Sequence, residues 1–227
     1  MAPIGAAVVT LLPGETLVAD LVGGDVRCDL ADPAPLVVVA ALMDDLDALV
    51  VTAGLSPAMA GARPIFDVDL AGVARVLTAF DGLATEGRLG VYVASMAGHL
   101  GFWSDEVLEA LDDPLGSPGA ELTTDPSTRY LMAKQGVIRL VRRTAPDWGA
   151  RVARILSVSP GVIGTPMGKL EMAETAGTSE TAETSALRRM GRPGEFATVI
   201  AFLCSDGASF MTGSDVLVDG GAVASLT

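Results

Sequence analysis

Apolar runs of strand length recur along the chain, with helix-length amphipathic segments between them. The pattern predicts strands at 16–20 (TLVAD), 48–54 (ALVVTAG), 90–95 (GVYVAS), 154–161 (RILSVSPG) and 215–221 (DVLVDGG). Val, Leu and Ile follow one another there almost without a break, as in strands that helices cover on both faces. Helices are predicted at 34–46, 67–84, 127–145 and 194–204. Such alternation builds βαβ units, so the expected fold class is α/β: one domain over residues 1–227 around a doubly wound, mostly parallel sheet. Two stretches break the rhythm. Residues 103–128 form an insertion with a short amphipathic helix, and residues 168–190, rich in Ala, Thr and Glu, are expected to be a mobile substrate lid.

Composition narrows the function classes. A chain of 227 residues that is 50% hydrophobic can bury one sizeable core. A net charge of -13 with only 15 Lys and Arg argues against nucleic acid, which needs clustered cations at its phosphates. Cys28 and Cys204 are too few for a disulfide framework and lack metal-ligand spacing, so both are expected to be buried small hydrophobes, with no metal. The opening MAPIGAAVVTLLPGE has no basic flank, and its apolar run is too short for a signal peptide or a membrane span. A cytoplasmic protein that acts on a small molecule, with no membrane partner, is the expectation.

The chemistry centres on RYLMAKQG, residues 129–136. Residues four apart share a helix face, so Tyr130 and Lys134 can point into one cleft. An ammonium beside a phenol favours the phenolate, and the tyrosine is expected to be lowered toward a range where it exchanges protons with substrate. Ser95 closes the predicted strand GVYVAS, and ligands of open α/β sheets bind beyond the carboxyl ends of strands. Tyr and Lys at this spacing also occur by chance, so the pair alone decides little.

Taken with other motifs the pair becomes specific, and the chain resembles the short-chain dehydrogenase/reductase family over residues 4–227. VTAGLS (51–56), VASMAG (93–98), YLMAK (130–134), SPGVIGTPM (159–167) and MTGSDVLVDGG (211–221) stand in that family's order. The resemblance implies a Rossmann-like fold and interconversion of a secondary alcohol and a ketone on a hydrophobic small molecule. It implies Tyr130 as proton donor or acceptor, Ser95 as the group that orients the substrate oxygen, and Lys134 as both tuner of Tyr130 and holder of the nicotinamide ribose. Pro160, Gly161, Ile163 and Thr165 would lie against the nicotinamide, Ile163 through its backbone and Thr165 through its hydroxyl. Ala53 and Gly54 would also touch the cofactor. Asp20 would accept from the adenosine ribose hydroxyls and so favour NAD over NADP, with Asp29 and Leu30 beside the adenine. The expected assembly is a homodimer or homotetramer.

Three departures stand beside these matches. The family opens with a strand and a glycine-rich turn that hold the pyrophosphate, whereas residues 3–12 (PIGAAVVTLL) look like the tail of that turn, ending at Ile4 and Gly5, and then the first helix. A central strand would then be missing, leaving its neighbours with unpaired backbone groups, and AAVVTLL (6–12) fits a recruited strand and a helix equally well. NAD binding is therefore expected to be weak or absent. That leaves two alternatives: a cofactor-independent acid/base enzyme (isomerase, dehydratase or cyclase) and a non-catalytic subunit. Second, Asp69 of VDLAG stands where the family usually has an asparagine that anchors a proton-relay water; it completes the candidate catalytic set of Ser95, Tyr130, Lys134 and Asp69. Third, the 103–128 insertion separates Ser95 from Tyr130, resembling some bacterial members that act on hydroxysteroids and similar bulky carbonyls. The lone histidine, His99, is expected to be a structural loop residue. Gly23, Gly24, Gly220 and Gly221 are read as turn formers and Phe102 and Trp103 as packing residues, while Met167, Met172 and Met190 divide between packing and substrate contact.

Overall fold

A computed structural model describes residues 3–226 apart from 23, 42, 44, 45, 117–120, 175 and 176. The element order is α1 (Ile4–Val9), β1 (Ala19–Asp20), β2 (Val26–Arg27), α2 (Pro33–Ala41), β3 (Ala48–Val51), α3 (Ala62–Asp69), α4 (Ala71–Ala79), β4 (Leu89–Val93), α5 (Asp105–Asp112), α6 (Pro126–Ala150), β5 (Arg154–Pro160), α7 (Pro166–Glu174), α8 (Thr178–Thr184), α9 (Pro193–Leu203), β6 (Asp215–Val218) and α10 (Ala222–Leu226). Strands β3-β4-β5-β6 form a parallel sheet in that order, and β1 pairs with β2 in a separate parallel ribbon.

Side chains of β4 show why helices cover both faces. Alternate residues of a strand point to opposite sides. Leu89, Val91 and Val93 enter a core shared with Val8 of α1 and Phe196 and Ile200 of α9. Tyr92 enters the other core, with Phe66 of α3, Val73 of α4 and Val137 and Val141 of α6. The doubly wound α/β architecture is as expected from the continuous apolar runs.

Several boundaries move. The run 48–54 stops pairing at Val51, opposite Tyr92, and 16–20 contributes only its last two residues to a strand. The run 215–221 stops at Val218, and Gly220 and Gly221 turn the chain with φ of 66° and 79°, the left-handed region that glycine adopts without penalty. The helix expected at 67–84 is two helices broken at Leu70 (φ -120°, ψ -59°), which makes Asp69 the last residue of α3. The helix expected over 34–46 ends at Ala41; its remaining positions include 42, 44 and 45, outside the described residues. Gly23 is also outside them.

Residues 6–12 resolve toward the helix. Ile4, Ala7, Val8 and Leu12 follow helical spacing, and all four pack into the core beside α9. Ile4 and Gly5 therefore belong to the first turn of α1 and not to a loop. No segment is recruited between the two sheets, and β3 pairs only with β4 among the described residues.

The insertion docks on α6. Ser104 caps α5, and at its end Asp112 accepts from Arg139 at 2.7 Å through both oxygens and from Arg143 at 2.9 Å. Residues 168–190, expected to be a mobile substrate lid, contain the rest of α7 after Met167 and all of α8, with 175 and 176 outside the described residues. Trp103 packs against the core, but Phe102 is fully exposed, so only one of the two is a packing residue. Cys28 is buried and Cys204 only half-buried, and both are free. Among the described residues no helix is long and apolar enough to cross a membrane.

Candidate active site

The parallel strands all deliver their following loops to one end of the sheet, and the candidate residues gather there. Ser95 follows β4 and caps a short 3-10 turn, its Oγ accepting from the Ala97 N–H at 3.1 Å. That leaves the hydroxyl proton available. Helix α6 starts from Asp125, whose carboxylate accepts from the Thr128 N–H at 2.7 Å, followed by Pro126, whose ring suits the first turn. Counting from that start puts Tyr130 and Lys134 one turn apart, with Lys134 Nζ 5.4 Å from the centre of the Tyr130 ring. Ser95 lies near enough to Tyr130 for its hydroxyl to lower the phenol.

Asp69 comes to Lys134 from the end of α3. It is fully buried; Oδ2 lies 3.0 Å from Lys134 Nζ, and Oδ1 accepts from the Leu55 N–H at 2.7 Å. The Nζ approach misses the direction of a formed hydrogen bond, so the contact is ionic. Gly54 gives the pair its space, since a Cβ there would sit 3.1 Å from Nζ and 3.4 Å from Oδ2.

This arrangement reverses the expected direction for the tyrosine. Burial pushes the Tyr130 phenol up; Lys134 and the Ser95 hydroxyl pull it down, but Glu171 and Asp69 add to the rise. Burial would lower the Lys134 ammonium, yet Asp69, Tyr130 and Glu171 together hold it above its ordinary value. Burial raises the Asp69 carboxyl, against Lys134 and the Leu55 N–H. In the free protein Tyr130 is thus a protonated phenol beside a charged ammonium, a proton donor in waiting.

The cofactor candidates divide into two halves. After β5, Gly161 N–H donates to Val218 O at 3.1 Å, and Ile163 is buried in an isolated bridge to Gly191. Thr165 Oγ1 accepts from the Gly168 N–H at 3.0 Å, capping α7, which begins with Pro166. Pro160 ends β5. Lys134, Tyr130 and Ser95 offer the donors that a nicotinamide riboside beside this loop would need. At the adenosine half Asp20 is exposed at the end of β1, with Oδ1 accepting from Val22 N–H at 3.1 Å. Asp29 Oδ1 accepts from Ala31 N–H at 2.9 Å, Leu30 O accepts from Arg75, and Ala53 is exposed. Met167, Met172 and Met190 are all half-buried.

A 170 Å³ cavity lined by Gly161, Ile163, Arg189 and Asp219 abuts the same loop but includes none of Ser95, Tyr130 or Lys134, so it is not the chemical cleft. His99 is structural: Nε2 lies 2.8 Å from Asp215 Oδ2, while Asp215 Oδ1 accepts from Ser157 and Ser159 Oγ at 2.6 and 3.0 Å. No metal-binding cluster occurs among the described residues.

Comparison with known proteins agrees with this geometry. A family model described as Enoyl-(Acyl carrier protein) reductase matches residues 115–223. A short-chain dehydrogenase/reductase of Alternaria brassicicola, bsc3, is 35% identical over 189 residues, covering 79% of this chain and 69% of the relative. The chain belongs to the short-chain dehydrogenase/reductase family. Within that family, a cis-4-hydroxycyclohexanecarboxylate dehydrogenase of Sinomonas cyclohexanicum is 34% identical over 207 residues, covering 88% of this chain and 76% of the relative. Among solved structures, the 3-alpha-hydroxysteroid dehydrogenase of Pseudomonas sp. B-0831 complexed with NADH superposes with a TM-score of 0.86 at 29% identity, over 99% of this chain and 94% of that one. As a short-chain dehydrogenase/reductase the chain is an enzyme, an oxidoreductase whose family uses a nicotinamide cofactor.

Two residues of the site escaped sequence reasoning. The charge of Glu171 on α7 acts on Lys134 and Tyr130, and its own carboxyl, raised by burial, is lowered in part by Ser56, whose side chain is fully buried. Ser56 closes the quoted VTAGLS motif, but nothing there marked its hydroxyl as inward-facing. Nor does local pattern distinguish Glu171 from Glu174, Glu180 and Glu183.

Proposed function

We propose that this oxidoreductase interconverts a secondary alcohol and a ketone on a hydrophobic ring, with NAD as its cofactor. The single observation that carries the proposal is the convergence of Ser95, Tyr130 and Lys134 at the carboxyl end of the sheet, with burial holding Tyr130 in its phenol form. In ketone reduction Ser95 donates a hydrogen bond to the carbonyl oxygen, and Tyr130 passes its phenolic proton to that oxygen. In alcohol oxidation the phenolate form of Tyr130 takes the hydroxyl proton, with the Lys134 ammonium steadying the negative charge. The bound nicotinamide supplies or accepts the hydride. Lys134 would hold the ribose, the loop 160–165 would flank the ring, and Asp20 would favour the unphosphorylated ribose of NAD. The names of the Sinomonas and Pseudomonas relatives, both dehydrogenases of ring alcohols, support the substrate class.

Where residues 3–12 alone face the pyrophosphate, it meets the start of α1 with no glycine-rich turn. Two or three lost donors, each contributing roughly 1.5 to 3 kcal/mol to a charged group, put NAD affinity in about the high micromolar range or weaker. Calorimetry with NAD and NADP, together with nicotinamide absorbance on adding cyclohexanols, tests both points. Weak but saturable NAD binding, preferred over NADP, with turnover is the expected result. Submicromolar NAD affinity would mean that another segment holds the phosphates. Absence of binding, with Tyr130-dependent catalysis retained, would replace this reading with a cofactor-free acid/base enzyme. Light scattering would test assembly as a homodimer or homotetramer.

A further inference from the structure

A carboxylate opens β6 inside the sheet, and the Asp215 side chain is only 1% exposed. Burying that charge costs free energy unless donors meet it, and an apolar residue would pack there at less cost. Three donors meet it. Ser157 and Ser159 of β5 donate to Oδ1 at 2.6 and 3.0 Å, and Nε2 of His99 lies 2.8 Å from Oδ2. A carboxylate only accepts, so the proton between them sits on Nε2 and the imidazole is the donor. What the carboxylate adds over an apolar residue is direction, because a hydrogen bond holds the imidazole at one point and one angle.

His99 ends the 3-10 turn Met96–His99 that Ser95 caps, and that turn is gripped on two sides. On one side Gly98 lies against α6 at Lys134: a Cβ there would stand 2.8 Å from the Lys134 carbonyl carbon and 2.9 Å from its oxygen. On the other the His99 imidazole reaches β6. Contact at Gly98 resists movement of the turn toward α6, and the His99 bond resists its movement away from β6. Within the turn the Gly98 N–H donates to Ser95 O at 3.0 Å, and the Ala97 N–H donates to Ser95 Oγ at 3.1 Å. The Ser95 hydroxyl is thereby tied to the backbone of the turn, so a displaced turn carries Oγ with it.

We propose that His99 is a positioning residue for the reaction: by anchoring the turn to Asp215 it holds the Ser95 hydroxyl where the substrate oxygen meets it. The inference rests on the oxidoreductase reading above, in which Ser95 donates to that oxygen. His99 acts through Ser95 and not on the substrate. Displacing a group that must meet a reacting atom by even about 1 Å is enough to slow the chemical step, so the anchor is felt in turnover and not only in the fold.

The test is the reduction of cyclohexanone by NADH in the wild type, His99→Ala, His99→Asn and His99→Gln, each also in a Ser95→Ala background, with melting curves for all. The amide nitrogen of glutamine can take the place of Nε2, whereas that of asparagine stops near Nδ1 and falls short of Asp215. His99→Ala and His99→Asn should lower kcat by about tenfold or more while the KM for NADH stays within about twofold, and His99→Gln should recover most of the loss. With Ser95→Ala there is no hydroxyl left to place, so removing the imidazole as well should cost no more than about twofold. Equal losses in both backgrounds would mean that His99 serves the fold alone and would overturn the proposal. An unchanged kcat in His99→Ala, or a His99→Gln no better than His99→Asn, overturns it too. If the wild type reduces no cyclohexanone, that failure lies with the oxidoreductase reading, and amide hydrogen exchange decides the anchor by itself. Protection of the Ala97 and Gly98 N–H groups should then fall in His99→Ala and return in His99→Gln while the amides of β4 hold level. Exchange at Ala97 and Gly98 that His99→Ala leaves unchanged ends the proposal.

Discussion

Replacing Asp69 with asparagine should move the pH dependence of alcohol oxidation toward acid. Oxidation needs the Tyr130 phenolate, and the buried phenol is held above its ordinary value partly by Asp69. The Lys134 ammonium, 5.4 Å from the ring centre, would favour the phenolate by about 3 kcal/mol at an effective dielectric of about 20. Asp69 lies 3.0 Å from that ammonium, hence no more than about 8 Å from the ring, and opposes it by about 2 kcal/mol. Asparagine removes this opposition and keeps an oxygen for the Leu55 N–H. The rising limb of kcat/KM against pH should shift by roughly one to one and a half pH units to lower pH. Ketone reduction, which needs the protonated phenol, should lose its high-pH rate over the same interval. The assay is kcat/KM in both directions from about pH 6 to 10, with melting curves to verify the fold. An unmoved profile would mean that Asp69 does not act on Tyr130. A shift toward alkaline pH would also refute the reasoning, since Lys134 would then need Asp69 to keep its charge.

Tyr130→Phe removes only the hydroxyl and should lower turnover by about 10² to 10⁴ while leaving the melting temperature within a few degrees; retained turnover would remove Tyr130 from the chemistry. Lys134→Ala leaves Asp69 buried without its cation, so it should both destabilise by about 3 to 5 kcal/mol in denaturant and shift the oxidation profile to alkaline pH. Asp215→Ala strips the acceptor from Ser157, Ser159 and His99 at the heart of β5 and β6, and urea unfolding should register a loss of roughly 2 to 4 kcal/mol. Gly168→Ala drives a Cβ into the Ile163 carbonyl, a backbone atom that cannot swing aside; displacement of α7 should raise KM for substrate more than it lowers kcat.

Much of this molecule is written locally. The Val, Leu and Ile runs and their turn residues specify a doubly wound α/β sheet without help from distant contacts, because strand and helix periods are properties of short segments. Four-residue spacing on one helix is enough to put Tyr130 and Lys134 on a shared face, and a strand end is enough to bring Ser95 near them. Tertiary structure decided what local period leaves degenerate. Residues 6–12 suit a helix or a strand, and only packing of Ile4, Ala7, Val8 and Leu12 beside α9 selects the helix. The direction of the Tyr130 shift depends on how many carboxylates surround Lys134, a count fixed when the end of α3 and the face of α7 fold onto α6 from 65 residues before it and 37 after. Glu171 is one of four glutamates in its segment, and only the folded position of α7, capped by Thr165 and seated at Gly168, brings its charge to bear on Lys134 and Tyr130. Charge acts across space with a range of several ångströms and no regard for chain order, so the electrostatics of the cleft became legible only once three distant segments stood together.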